Sequence, residues 1–232
     1  MTGNLQDARK RSVDNLQRLY TVVMSLAVTE SLRRLLTVAS GGTVGFPTLS
    51  QALMFVSLIF TIVPFYHGAN RYLDATYVTG ERSAKPAALM IDFVFLFLEG
   101  LGFFVLAVLM DHPEAFFTAL AALLLLDAIW VGVTNLTAAG EADRFQQYAK
   151  WATVNVCAAA LIVVSTWSNA LNWPFWKSDF IRDIVLATTA IGRTIYDYRM
   201  VWQFYYPGQA EGPGMMPAPA PAPPPSSSNK SS

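Results

Sequence analysis

Apolar residues run almost without interruption through much of this chain, where a soluble helix would show a stripe. Residues 87–110 and 115–137 are the clearest cases. Each holds about 20 or more mostly apolar side chains, the length needed to cross ~30 Å of hydrocarbon at about 1.5 Å per helical residue. Residues 48–66 and 148–167 are two further stretches of the same kind. Backbone polar groups cannot stay unpaired in lipid, so segments of this length are read as helices. The pattern predicts an all-α, polytopic transmembrane bundle.

Six helices and a tail account for the chain. The first, over about residues 12–38, carries Arg18, Glu30, Arg33 and Arg34 and has only a short apolar core. Two placements follow for it: crossing the membrane, or lying in the interface with its apolar face down. Gly41-Gly42 and Pro47 separate it from the second helix. That helix is apolar over 52–65, and Pro64 near its end removes one backbone hydrogen bond and predicts a bend. Residues 67–77 keep helical composition, which extends it past the membrane. Asp111-His112-Pro113-Glu114 is a tight polar turn, so the third and fourth helices must be antiparallel neighbours. The fifth helix follows the polar segment 140–144. The sixth, about 178–200, follows Trp173-Pro174-Phe175-Trp176, a turn suited to a membrane–water interface. Three parts result: an N-terminal cytoplasmic segment (1–11), the bundle (12–206) and an Ala/Pro- and Ser-rich tail (207–232), expected to be disordered or polyproline-like. No internal repeat is visible.

Composition agrees with this picture and narrows the chemistry. Residues are 53% hydrophobic and 14% charged, against roughly 25% charged in a typical soluble domain. Sixteen basic and sixteen acidic residues cancel, and no basic block offers a nucleic-acid surface. The single cysteine, Cys157, excludes an internal disulfide and reads as a small packing residue. The two histidines, His67 and His112, fall at opposite membrane faces, so bis-histidine haem ligation is excluded. No Cys/His metal spacing, Gly-rich phosphate loop or nucleophile–base pair is present, so neither cofactor, metal nor catalytic residue is expected. Arg9, Lys10 and Arg11 ahead of the apolar residues 19–28, with Ser25, Ala27 and Thr29, have the look of a signal peptide. The apolar pattern runs on through Leu32, Leu35, Leu36 and Val38, so a retained helix is the better reading. Asn135-Leu136-Thr137 matches a glycosylation sequon, but at the cytoplasmic end of its helix it reads as chance.

Basic residues set the orientation. Six spans with the N-terminus inside gather Arg9, Lys10, Arg11, Arg18, Arg71, Arg82, Lys85, Arg144, Lys150 and Arg199 on the cytoplasmic side. The opposite side holds Arg33, Arg34, Lys177 and Arg182. Both termini are therefore expected inside, in a plasma or bacterial inner membrane. A first helix lying flat would put the tail outside.

Ionisable groups within the hydrocarbon are the strongest functional pointers. Each costs roughly 2.5–3.5 kcal/mol on insertion scales and must face the bundle interior or water. Asp92 and Glu99 share a face of the third helix, Asp127 lies on the fourth, and Arg193 and Asp197 stand one turn apart on the sixth. Counting helical rise places Glu99 and Asp127 each ~18 Å from opposite surfaces, and Arg193 ~22 Å from the outer one. Two carboxylates and one guanidinium at one depth are expected to meet if these helices share a core. One acid would then hold a proton it can exchange; a structural ion pair fixing helix packing is the competing reading. Asn155, Thr134 and Asn135 are candidates for the same network or for interhelical hydrogen bonding.

A second cluster, His67, Asn70, Arg71 and Asp74, follows i, i+3, i+4, i+7 spacing on one face at the cytoplasmic end of the second helix. It suits a phosphate, headgroup or nucleotide, or serves as a solvated or interhelical polar face. Thr21, Ser25 and Thr29 on the first helix and Ala158-Ala159-Ala160 on the fifth allow close backbone approach, within one chain or in a homo-oligomer. The sequence thus favours a lipid-embedded channel or transporter-like protein moving a proton or small cation. The alternative is a non-catalytic sensor, effector or assembly subunit that engages a cytoplasmic protein through the second helix's extension and the tail.

Overall fold

The computed structural model describes residues 2–36, 46–79, 88–137, 142–167 and 179–206. Among them there are seven α-helices, one π-helical turn and no strand. The long helices are α1 (Thr2–Leu36), α2 (Leu49–Leu73), α3 (Ala88–Val108), α4 (Pro113–Thr137), α5 (Ala142–Trp167) and α6 (Asp179–Met200). A short α7 (Trp202–Tyr205) closes the described chain. The tail at 207–232 and the aromatic turn at 173–176 lie outside the described residues.

Four helical stretches, Leu49–Val78, Ala88–Val108, Pro113–Thr134 and Ala149–Trp167, are long and apolar enough to cross a membrane. They are compatible with a multi-pass integral membrane protein. Large apolar side chains such as Val22, Leu26, Met90, Ile129, Leu161 and Ile195 lie on the outside of the bundle, which suggests contact with a lipid bilayer.

α2 begins with a capping box: Gln51 N–H donates to Thr48 Oγ1 at 3.2 Å, and Thr48 N–H donates to Gln51 Oε1 at 3.0 Å. It runs straight into the π-helical turn Asp74–Val78, so the continuous helix is ~45 Å long by helical rise. That exceeds the hydrocarbon, as the composition of residues 67–77 implied. Pro64 sits inside it and supplies no N–H to the carbonyl four residues back, at Phe60. The Thr194 hydroxyl of α6 donates to that carbonyl instead.

The helices close into a ring in the order α1, α3, α4, α5, α6, α2, and back to α1. The α3–α4 hairpin is the antiparallel pair its turn demands. α1 and α3 are parallel, because their contacts climb together: Tyr20 meets Glu99, Val23 faces Gly100, and Arg34 pairs with Asp111 at the α3–α4 turn. Three residues before Tyr20, Gln17 meets Asp74. α1 therefore stands along the bundle; it does not lie across its end.

α6 has reversed polarity. Arg182, Asp183, Arg193, Thr194 and Asp197 are buried, while Phe180, Ile181, Ile184, Ile195 and Tyr196 face outward. Such a helix suits an apolar solvent and a polar bundle interior.

Candidate functional site

Each helix of the ring contributes a buried side chain to a belt near mid-height, and α2 adds the exposed Tyr66. Tyr20 on α1 donates its hydroxyl to Glu99 Oε2 on α3 at 3.5 Å. The carboxyls of Glu99 and of Asp127 on α4 are near enough to interact electrostatically. The Asn155 amide on α5 donates to Asp127 Oδ2. Its carbonyl oxygen accepts from Arg193 Nε on α6 at 2.8 Å. Arg193 Cζ lies 5.0 Å from the ring centroid of Phe65 on α2, within cation–π range. Tyr66, next along α2, stacks on Tyr20 with centroids 6.1 Å apart and completes the circuit.

The acids, the amide and the guanidinium of this belt are sequestered. Glu99 and Asp127 are each 1% exposed, Asn155 is 0% and Arg193 is 5%. Burial at that level makes every unmade hydrogen bond costly. Yet Glu99 Oε1, both terminal nitrogens of Arg193 and Asp197 Oδ1 have no hydrogen-bond partner among the described residues. Asp197, one turn beyond Arg193, takes a 2.8 Å hydrogen bond on its other oxygen from the Tyr205 hydroxyl of α7.

The expected direct meeting of both acids with the guanidinium does not form. α6 packs chiefly on α5 and α2 and meets α4 at the Arg182–Glu114 ion pair, so among the described residues Arg193 is linked to Asp127 through Asn155. The acids meet each other; the cation is one amide away. Asp92, seven residues below Glu99, belongs to a different cluster. Its carboxylate accepts from Tyr77 Oη at 2.6 Å and from Trp130 Nε1 at 2.9 Å, tying the π-helical turn to α3 and α4. Thr134 donates back to the Val131 carbonyl at 2.9 Å and lines a small hollow with Tyr72, Trp130 and Trp151. The Asn135 side chain lies outside the described residues.

The stripe on the second helix divides. Gln17 Nε2 of α1 donates to Asp74 Oδ1 and to the Asn70 carbonyl, both at 3.3 Å. On the other flank, His67 Nδ1 is 3.2 Å from Tyr198 Oη, and its ring stacks on Tyr205 with centroids 4.6 Å apart. Arg71 Nε donates to the Phe204 carbonyl at 3.0 Å. His67, Arg71 and Asp74 thus hold neighbouring elements of the same chain, while the Asn70 amide donates back to the Tyr66 carbonyl of its own helix at 2.7 Å. Thr21 and Ser25 face outward, and their hydroxyls bond back to the Gln17 and Thr21 carbonyls at 2.8 Å.

Tyr20, Phe65, Tyr77, Trp130 and Tyr205 joined these clusters without being singled out in the sequence. Tyr20 had a signal. It lies on the buried face Val13, Leu16, Tyr20, Met24 and Ala27, whose three- and four-residue spacing is that of one helical face. The others are aromatic residues in an aromatic-rich chain, and nothing local marks them.

The fold and its belt define a class: a ring of helices, four of them long and apolar enough to span a membrane, enclosing buried ionisable groups. No family model, curated protein or solved structure matches the chain.

Proposed function

We propose that this protein is a channel- or transporter-like membrane protein that moves a proton or small cation through the belt formed by Glu99, Asp127 and Arg193, with Asp197 adjoining it. The observation that carries the reading is the buried carboxyl pair. Two interacting acids, each 1% exposed, are expensive to maintain for packing alone. An acid pair that shares one proton gains or loses that proton readily when water reaches either side, which is the elementary step of proton or cation exchange. Asp92 has a separate place in this scheme as an anchor of the π-helical turn. Both termini face the cytoplasm, following the distribution of basic residues.

The test is ion flux in liposomes containing the purified protein. Asp127→Asn is expected to abolish flux while the protein remains folded and abundant. Full flux in that variant removes the reading.

A second reading rests on the same burial. A belt with almost no exposure could act as a clasp that holds six helices together in a non-catalytic sensor, effector or assembly subunit. Its partner would be a cytoplasmic protein or a second copy of the chain. Wild-type protein that moves no ion in the liposome assay selects this reading.

A further inference from the structure

Three acids and one cation share the centre of this bundle, and their atoms are unequally occupied. One oxygen of each acid is engaged by a neutral donor: Glu99 Oε2 by Tyr20, Asp127 Oδ2 by Asn155, and Asp197 Oδ2 by Tyr205. Arg193 lies within electrostatic reach of all three carboxyls. Its Nε is spent on Asn155, but Nη1 and Nη2 have no partner among the described residues, and neither do Glu99 Oε1 and Asp197 Oδ1. Free donors on the guanidinium thus accompany free acceptors on an acid of α3 and an acid of α6, all buried.

We infer that the cargo is a proton, not a metal cation, and that it passes between Asp197 and the Glu99–Asp127 pair along water held on the two terminal nitrogens of Arg193. This rests on the transport reading above and names its substrate. A metal cation needs several oxygens converging on one point with lone pairs to spare. Here a fixed positive charge stands among the acids, N–H and O–H donors already cover half of their oxygens, and no metal-holding group of three His, Cys, Asp or Glu residues occurs among the described residues. Buried donors and acceptors of this kind are satisfied by water, which makes about three hydrogen bonds per molecule.

The step balances with O–H bonds alone. A proton on Asp197 Oδ1 moves to the first water, a proton of the last water moves to Glu99 Oε1, and Asp197 returns to carboxylate. Arg193 carries only N–H donors and takes up no proton in this step. It orients the water and lowers the cost of negative charge on either acid. Asp197 is therefore a proton-carrying station of the site, with Tyr205 positioning it.

The experiment uses the full chain in liposomes holding a trapped pH-sensitive dye and an imposed inside-negative potential. Sodium or choline is the external cation, and radioactive sodium uptake is followed in parallel. Wild type should acidify the lumen equally in sodium and choline, more slowly in deuterium oxide, and take up no sodium. Asp197→Asn should lower the proton rate at least tenfold, and Asp197→Glu should recover part of it. Sodium uptake without acidification overturns the inference while leaving the transport reading intact. So does a wild-type proton rate in Asp197→Asn. No ion movement of any kind by wild type overturns both. If Asp197→Asn does not fold, the sodium–choline comparison and the deuterium effect on wild type still decide.

Discussion

The Thr194 hydroxyl donates its proton to the Phe60 carbonyl, and it does so where Pro64 has removed the ordinary helical donor. In an apolar medium an orphan carbonyl has no water to turn to. α6 is thus fastened to α2 through a defect in α2's own backbone ladder. Thr194→Val, which keeps the shape and removes the donor, should cost about 1–3 kcal/mol of stability. Pro64→Ala restores an N–H, so the same threonine substitution should cost less in that background. Denaturation of all four combinations in detergent measures the coupling; equal costs in both backgrounds would show that the proline is irrelevant to this contact.

Asn155 links Asp127 to Arg193, donating to one and accepting from the other. Asn155→Leu keeps the branched shape but strands both partners in the core. Loss of hydrogen bonds to two charged groups should lower stability by about 2–3 kcal/mol or more and suppress flux. Asn155→Gln, which has the same chemistry on a longer arm, should recover part of each. A leucine variant as stable as wild type would mean that the amide carries no load.

Gly100 lets α1 lie against α3. A Cβ there would stand 2.9 Å from Val23 Cγ1, closer than carbon atoms pack. Gly100→Ala should therefore push the helices apart and loosen the Tyr20–Glu99 contact one residue away, at a cost of about 1–3 kcal/mol. Val23→Ala makes room and should restore most of the loss. Thermal unfolding of the single and double variants checks this. Failure of the second substitution to rescue would place the strain elsewhere.

Orientation can be read chemically. In a Cys157→Ser background, His112→Cys at the α3–α4 turn and Lys10→Cys near the start of α1 are both exposed positions. A membrane-impermeant maleimide should label the first in intact cells and the second only after permeabilisation. The reverse result would invert the bundle, and equal labelling would show that α1 does not cross.

Much of this architecture could be read along the chain. Distance along a helix is linear in residue number, so the positions of Glu99, Asp127 and Arg193 along their own helices followed from helical rise alone. The hairpin at residues 111–114 and the extension of α2 beyond Pro64 were equally local. α6 was harder. A hydropathy window averages both faces of a helix, and here the inward face carries Arg182, Asp183, Arg193 and Asp197, so the average conceals an outward face that is apolar.

Which residues meet was a different matter, and only packing decided it. Lipid is as apolar as the interior of the bundle, so hydrophobicity does not say which face of a membrane helix turns inward or which helix becomes its neighbour. The same length and composition would allow α6 beside α4, where Arg193 would touch Asp127 directly. Instead the ring sets α5 between them, and Asn155 takes the position between acid and base. Depth came from the covalent chain; azimuth and neighbour order came from six helices fitting together in three dimensions.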